Sequence, residues 1–300
     1  MNAGAGSIGE AACEERAQHI RDAFTAAGVE ATIYQTKPKD LVATARRAAE
    51  SGVDAVVAAG GDGTVSAVAG ALVGGEIPLA VLPLGTLNHF ARDIGMPDDL
   101  GLAAQAIAAR QLKRVDVGEV NSRVFINNSS VGLYPETVMS RDADQKRNGH
   151  GKWTAMLLAI GRVLRRFPLL AVRIALPDRS VVAATPMVFI GNNPYTINVL
   201  SLGKRERLDS GHLSLYMMRC KGRLQMFWLM VRAILQRLEA VRDFEAETAT
   251  DVIVTLRRRV LNVAVDGEVE SMTSPLRYRI RAGALPVLVP PAAAVAGRAA

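Results

Sequence analysis

The sequence predicts a two-domain protein: an α/β domain with a parallel sheet, followed by a C-terminal antiparallel β-sandwich domain. Three observations carry this. The chain has 300 residues, and at about 150 residues per domain that length holds two cores. Residues 10–115 alternate helix-period and strand-period segments, the pattern of a parallel sheet covered by helices. After Val115 the texture changes to many short strand-like segments separated by turns, the mark of an antiparallel sandwich or barrel. We place the boundary near 112–116, giving an α/β domain at 1–115, a β-rich domain at 116–290 and an Ala-rich, frayed tail at 291–300.

In the first domain a helix spans 10–27, where Ala12, Ala17, Ile20 and Phe24 recur at helical spacing and Gly28 stops it. Val29–Tyr34 reads as a short strand, and 39–50 as a second helix ended by Ser51-Gly52. The run Val53–Ala59 reads as a buried strand that leads straight into Gly60-Gly61-Asp62-Gly63-Thr64. A helix at about 65–73, the strand Pro78–Leu82 and a helix beginning near Leu87 follow. In the second domain we expect strands at 115–120, 123–129, 171–176, 181–190, 212–219, 251–256, 260–265, 277–281 and 285–289. Helical stretches near 152–166 and 222–243 interrupt them.

Composition narrows the function. Lys and Arg number 36 against 29 Asp and Glu, a net charge of +7 that favours anionic partners: nucleotide phosphates, acidic lipid headgroups or nucleic acid. Aromatic residues make up 5%, and no zinc spacing or RNA- or DNA-binding motif occurs, which argues against nucleic acid. The two cysteines, Cys13 and Cys220, form no Cys-x-x-Cys or Cys/His pattern, so the reading is a cytoplasmic protein without a zinc site or disulfide framework. Glu10, Glu14 and Glu15 arrive early and no basic segment leads into an apolar one, so a signal peptide is not expected. No uncharged apolar run reaches the length of about 18 residues needed for a transmembrane helix, and membrane contact would come from the surface. His19, His89, His150 and His212 lack a Gly-x-Ser-x-Gly partner, which leaves Ser/His/Asp hydrolysis unsupported.

Four motifs carry candidate chemistry. Gly4-Ala5-Gly6-Ser7-Ile8-Gly9 fits G-x-G-x-x-G, with Glu30 about 20 residues on, but only Met1, Asn2 and Ala3 precede it where a strand is required. It reads better as a small-residue turn before a helix. Gly60-Gly61-Asp62-Gly63-Thr64 stands between strand and helix, where bare backbone amides reach phosphate oxygens and the helix start favours negative charge. Asp62 there would repel phosphate unless a cation intervenes, which makes it a Mg²⁺ partner; the alternative is a tight strand-to-helix turn with an Asx bond. Pro83-Leu84-Gly85-Thr86-Leu87-Asn88-His89-Phe90-Ala91-Arg92 repeats the context, and Thr86 and Asn88 either cap the helix or bind nucleotide phosphate and ribose. Asp266-Gly267-Glu268 offers a pair of carboxylates or, alternatively, a hairpin turn.

Gly-Gly-Asp-Gly-Thr at 60–64, Pro-Leu-Gly-Thr-x-Asn at 83–88 and Asp266-Gly267-Glu268, in this order and spacing, resemble the diacylglycerol kinase catalytic family. The likeness is to its soluble bacterial lipid kinases, themselves similar to sphingosine kinases, and it runs over nearly the whole chain. The first motif is shared with NAD kinases; the second separates the lipid kinases from them. The resemblance implies an NAD kinase/diacylglycerol kinase-like fold, ATP as donor with Mg²⁺, and a lipid hydroxyl as acceptor. It implies ATP contacts from Asn2, Thr36, Gly60, Gly61, Asp62, Gly63, Thr64, Gly85, Thr86 and Asn88, and a catalytic base at Asp266 or Glu268 with Asp62 organising metal and phosphates. It further implies a peripheral enzyme at the inner face of the membrane. The chain departs from the family in three places. Asn2-Ala3-Gly4-Ala5-Gly6 lacks the family's proline and preceding strand; His89 stands where an aspartate is usual; and Asp209-Ser210-Gly211-His212-Leu213 replaces Asp-Asp-Gly-Leu-Leu, weakening a second Mg²⁺ site around Arg207, Ser210 and His212.

For the membrane surface, 222–239 combines Met226, Phe227, Trp228, Leu229 and Met230 with Arg223, Arg232 and Arg237, either as an interfacial helix or as one packed on the β domain. Lys146, Arg147, His150 and Lys152 beside Trp153, with Arg162, Arg165 and Arg166 following, form a basic cluster suited to anionic headgroups or a plain solvated loop. Arg257-Arg258-Arg259 reads as a hairpin turn. A soluble-substrate kinase related to NAD kinase and a non-catalytic nucleotide sensor at the membrane are the alternatives.

Overall fold

The computed structural model of the chain describes residues 10–132, 169–195, 197–198, 201–202, 205, 207–218, 222, 225 and 244–291. Asn2, the Gly4–Gly9 motif, Cys220, the basic cluster with its 152–166 helix, the tail after Pro291 and nearly all of the 222–243 stretch lie outside them.

The helices are α1 (Glu10–Ala26), α2 (Leu41–Glu50), α3 (Asp62–Leu72), α4 (His89–Asp93) and α5 (Leu100–Ala108), with a single 3₁₀ turn at Pro38–Asp40. The strands are β1 (Val56–Gly60), β2 (Leu79–Pro83), β3 (Leu112–Val120), β4 (Arg123–Phe125), β5 (Asn128–Gly132), β6 (Leu170–Ala175), β7 (Ser180–Thr185) and β8 (Met187–Asn192). They continue with the short β9 (Ile197–Asn198) and β10 (Ser201–Leu202), then β11 (Leu213–Met218), β12 (Phe244–Ala249), β13 (Asp251–Leu256), β14 (Val260–Val265), β15 (Glu268–Thr273) and β16 (Leu276–Leu288). Two compact units result: Met1–Val117 with Arg281–Ala300, and Gly118–Ile280.

In the first unit β1 and β2 pair parallel, Val56 with Leu79 through Gly60 with Pro83. Leu79, Ala80, Val81 and Leu82 are all fully buried, as expected of a strand covered on both faces. Of the apolar stripe of α1, Ala17, Ile20 and Phe24 are buried and Ala12 is exposed, and the helix ends where Gly28 takes φ +72°, with the amide of Val29 returning to Phe24 O at 2.9 Å. Val29–Tyr34 alternates half-buried and exposed residues, but joins no strand ladder among the described residues. The sequence missed α5, which is capped by Asp99 accepting from the Leu102 amide at 2.8 Å.

The last strand corrects the domain assignment. The sequence reading kept 116–290 together and split the end of the chain into strands 277–281 and 285–289. Instead β16 is one strand of 13 residues, and from Arg281 onward it belongs to the first unit. There Val287 pairs parallel with Leu79, Ala284 O accepts the Gly74 amide at 2.8 Å, and Leu285 and Val287 are fully buried. Pairing across some 200 residues leaves no mark on local periodicity.

The second unit is a sandwich. One sheet runs β12-β11-β8-β5-β14-β15; the other is built from β7, β6, β13 and the first half of β16, all antiparallel. Between them lies a core of Val131, Ile174, Ile190, Leu213, Leu215, Val252, Val254, Val263 and Leu276, with Phe125 and Tyr278 edge to face at 6.3 Å. The expected strand 181–190 breaks at Pro186 into β7 and β8, one in each sheet. Likewise Arg257–Arg259 is exposed and carries the chain from β13 in one sheet to β14 in the other, so it is a connection between sheets rather than a hairpin turn. No helix among the described residues is long and apolar enough to cross a membrane.

Candidate active-site loops

In the first unit the parallel register of β1 and β2 sets Gly60 beside Pro83, so the loops leaving both strands emerge together. The Leu84 amide donates to Gly60 O at 3.1 Å. A Cβ on Gly85 would stand 2.5 Å from Gly61 Cα, and one on Gly60 would stand 2.5 Å from Thr64 Oγ1. The two glycine-rich loops therefore touch backbone to backbone, and no other residue type fits at Gly60 or Gly85.

Helix α3 begins at Asp62 with Gly61 as its extended N-cap, whose carbonyl accepts the amides of Thr64 at 2.9 Å and Val65 at 3.1 Å. Asp62 is half-buried, and its Oδ1 accepts from the Phe90 amide at 3.4 Å, tying the starts of α3 and α4 together. Thr64 is buried, while Thr86 and Leu87 are exposed. Asn88 resolves its two readings in a third way. At φ +49° its side chain bonds both sides of the Gly85 peptide, Oδ1 accepting from Gly85 N at 3.0 Å and Nδ2 donating to Gly85 O at 2.9 Å. It is buried, makes no cap bond and locks the loop. Thr36 is also buried, its hydroxyl donating to Tyr34 O at 3.4 Å.

In the second unit Asp266 and Gly267 are the two-residue turn between β14 and β15, with φ +47° and +89°. Positive φ at both positions is the type I′ hairpin pattern that Asp-Gly favours. Yet Asp266 also reaches outward from its own hairpin. Its carboxylate accepts three consecutive amides: Ile126 at 2.9 Å, Asn127 at 2.8 Å and Asn128 at 3.0 Å. Its own amide donates to Asn128 O at 2.8 Å. Glu268 is exposed, with Arg123 Nη2 3.5 Å away; Arg123 Nε sits at 2.8 Å from Glu270. Asn127, Asn128, Asn192 and Arg123 went unread in the sequence, although the Asn-Asn pairs at 127–128 and 192–193 interrupt otherwise apolar strand patterns and were the available signal.

At the loop 207–212 the side chains considered for a second Mg²⁺ are engaged with protein groups. Ser210 supplies no carboxylate, its hydroxyl donates to Asn193 Oδ1 at 2.6 Å, and its amide does so at 2.8 Å. The Ser210 carbonyl is engaged by His212 Nδ1 at 2.7 Å, and Arg207 Nε bonds Asp209 at 3.1 Å. No cluster of three His, Cys, Asp or Glu side chains occurs among the described residues. A cavity of about 300 Å³ in this unit, lined by Ile174, Leu215 and Met217 with Arg179 and Glu247 ion-paired, contains none of the expected site residues.

The whole fold is that of solved diacylglycerol kinase structures. A diacylglycerol kinase from Bacillus anthracis str. Sterne superposes with a TM-score of 0.69 at 20% identity, covering 97% of this chain and 95% of that one. A second structure from the same organism gives 0.73 at 23% identity, covering 97% and 94%. Residues 2–120, which hold both glycine loops, match the family model of the diacylglycerol kinase catalytic domain. Diacylglycerol kinase of Staphylococcus saprophyticus is 39% identical over 111 residues, 35% of this chain and 36% of the relative. A probable lipid kinase YegS-like protein of Chromohalobacter salexigens is 31% identical over 185 residues, 60% and 58% of the two chains. The matched stretch thus spans about a third of the staphylococcal relative and somewhat over half of the other.

Proposed function

We propose that the chain is an ATP- and Mg²⁺-dependent lipid kinase that transfers the γ-phosphoryl group to a hydroxyl of a diacylglycerol-like or sphingoid-like lipid, working from the cytoplasm at the inner face of the membrane. The observation that supports it most is the close approach of Gly61 and Gly85, which leaves no room for a Cβ on Gly85 and packs the two glycine loops together at the ends of β1 and β2. The start of α3 beside it is a helix N-terminus, whose amides and dipole suit phosphate oxygens. Asp62 beside them, together with those oxygens, is a hard oxygen donor set that fits Mg²⁺. When bound, the ion would neutralise charge on the transferring phosphoryl group.

The roles of the carboxylates divide. Asp266 spends its oxygens on three amides, so it shapes the turn, and Glu268, exposed two residues on, is the base. Glu268 takes the proton of the lipid hydroxyl, the hydroxyl oxygen bonds to the γ-phosphorus, and the bond to the β–γ bridging oxygen breaks, releasing ADP.

The test is transfer of radiolabelled γ-phosphate from ATP into mixed micelles containing a panel of lipids. We expect label in at least one lipid with the unaltered protein, loss on Asp62→Ala, and a fall of about 10²- to 10⁴-fold on Glu268→Gln. Label entering NAD instead of any lipid would transfer the assignment to a soluble-acceptor kinase. ATP binding without transfer to any acceptor would overturn it in favour of a nucleotide sensor.

A further inference from the structure

Among the described residues Arg205 is the largest side chain buried to less than 2% exposure. Its guanidinium is spent largely on backbone. Nη1 donates to Ile126 O at 2.6 Å and to Asn192 O at 3.1 Å, Nη2 donates to Asn127 Oδ1 at 2.8 Å, and the group lies 5.4 Å from the centre of the Tyr195 ring. The segment it grips is the one that holds Asp266. Within the single peptide joining Ile126 and Asn127, the carbonyl accepts from the Arg205 cation while the amide donates to the Asp266 carboxylate. A peptide dipole strung between opposite charges is polarised by both, which strengthens each bond. The next peptide is held in the same sense: Asn127 O accepts from Tyr195 Oη at 2.9 Å and from the Asn192 amide at 2.8 Å, and the Asn128 amide donates to Asp266. The Asn192 side chain adds a bond to Ile126 O at 2.9 Å.

We infer that Arg205 is a positioning residue for the Asp266-Gly267-Glu268 turn, acting through the 126–128 peptides without touching substrate itself. The inference rests on the phosphoryl-transfer reading for its kinetic consequence and on the hydrogen-bond network alone for its structural one. Arginine is required because three acceptors in different directions need a rigid fork; lysine supplies the charge at one point only. With the fork gone, Ile126 O keeps only the Asn192 side chain, the Asn127 side chain loses its donor, and the peptide whose amide holds Asp266 is no longer fixed on its carbonyl side by a cation.

The test uses Arg205→Lys, Arg205→Met and the milder Tyr195→Phe in the full chain, reading transfer kinetics and amide hydrogen exchange together. We expect Arg205→Lys to lower kcat by about 10²-fold, the scale of an ångström-level misplacement, with KM for ATP within about twofold of the unaltered protein. Tyr195→Phe should lower kcat by less, in the same direction. Exchange at the amides of 126–128 should accelerate at least about tenfold in both, while the amides of β6 and β7 keep their protection. Unaltered kcat in Arg205→Lys, or exchange accelerated evenly over the whole second unit, would overturn the inference. If the unaltered protein phosphorylates no acceptor, the function assigned above fails, and the exchange pattern still decides whether Arg205 holds the turn. Should Arg205→Met not fold, Tyr195→Phe carries the same comparison.

Discussion

The two units build polar sites by opposite means. In the first, glycine loops touch at Gly61 and Gly85 and offer main chain, with side chains removed from the contact. In the second, Asp266 gathers amides from residues 140 positions away in sequence, and Arg205 with Asn192 and Tyr195 fixes the far side of those peptides. One device works by absence of atoms and is local; the other works by side chains and is long-range. A local cradle tolerates change anywhere except at its glycines, whereas the network transmits damage from any member.

The largest effect should separate the two. Asp266→Ala leaves three amides without their acceptor and is expected to destabilise the second unit by about 3 kcal/mol, read by urea unfolding. A cost below about 1 kcal/mol would mean that water replaces the carboxylate and the network is not cooperative. Next, Gly85→Ala pushes a methyl against Gly61 Cα and Asn88 Oδ1, and should cost about 2 kcal/mol with nucleotide affinity falling, measured by titration calorimetry. Gly267→Ala is its control: nothing lies within 4 Å of the added carbon, so only the strain of φ +89° acts, costing about 1 kcal/mol and leaving nucleotide affinity unchanged.

The sandwich core supplies a pH dependence. Burial pushes the Tyr278 phenol well above its ordinary value, with the Ser129 hydrogen bond pulling weakly the other way. The folded protein therefore keeps a proton that the unfolded chain releases near pH 10, and stability falls as pH rises beyond about 10. Tyr278→Phe should remove that alkaline loss while costing about 1 kcal/mol at neutral pH, followed by thermal unfolding across pH 7 to 11. The smallest effect is expected for Arg123→Ala. Its partner Glu268 is exposed and Glu270 is partly so, and stability should change by less than about 1 kcal/mol.

Features set by short-range physics were legible in the chain before any folding. Gly28 ends α1, the apolar stripe of Ala17, Ile20 and Phe24 faces inward, and the glycine loops stand at the ends of β1 and β2 because strand, glycine and helix start follow one another within ten residues. Asp266-Gly267 was equally legible as a turn, since positive φ at two positions selects those residues. Tertiary structure alone decided where strand partners lie. It returned Leu285 and Val287 to the first unit, divided 181–190 between two sheets at Pro186 and left Val29–Tyr34 without a ladder among the described residues. It also gave Asn88, Asn127, Asn192 and Arg205 their tasks. A polar residue's spacing says nothing of its partner when that partner is a distant backbone group, because only folding brings the carbonyl or amide within hydrogen-bond reach.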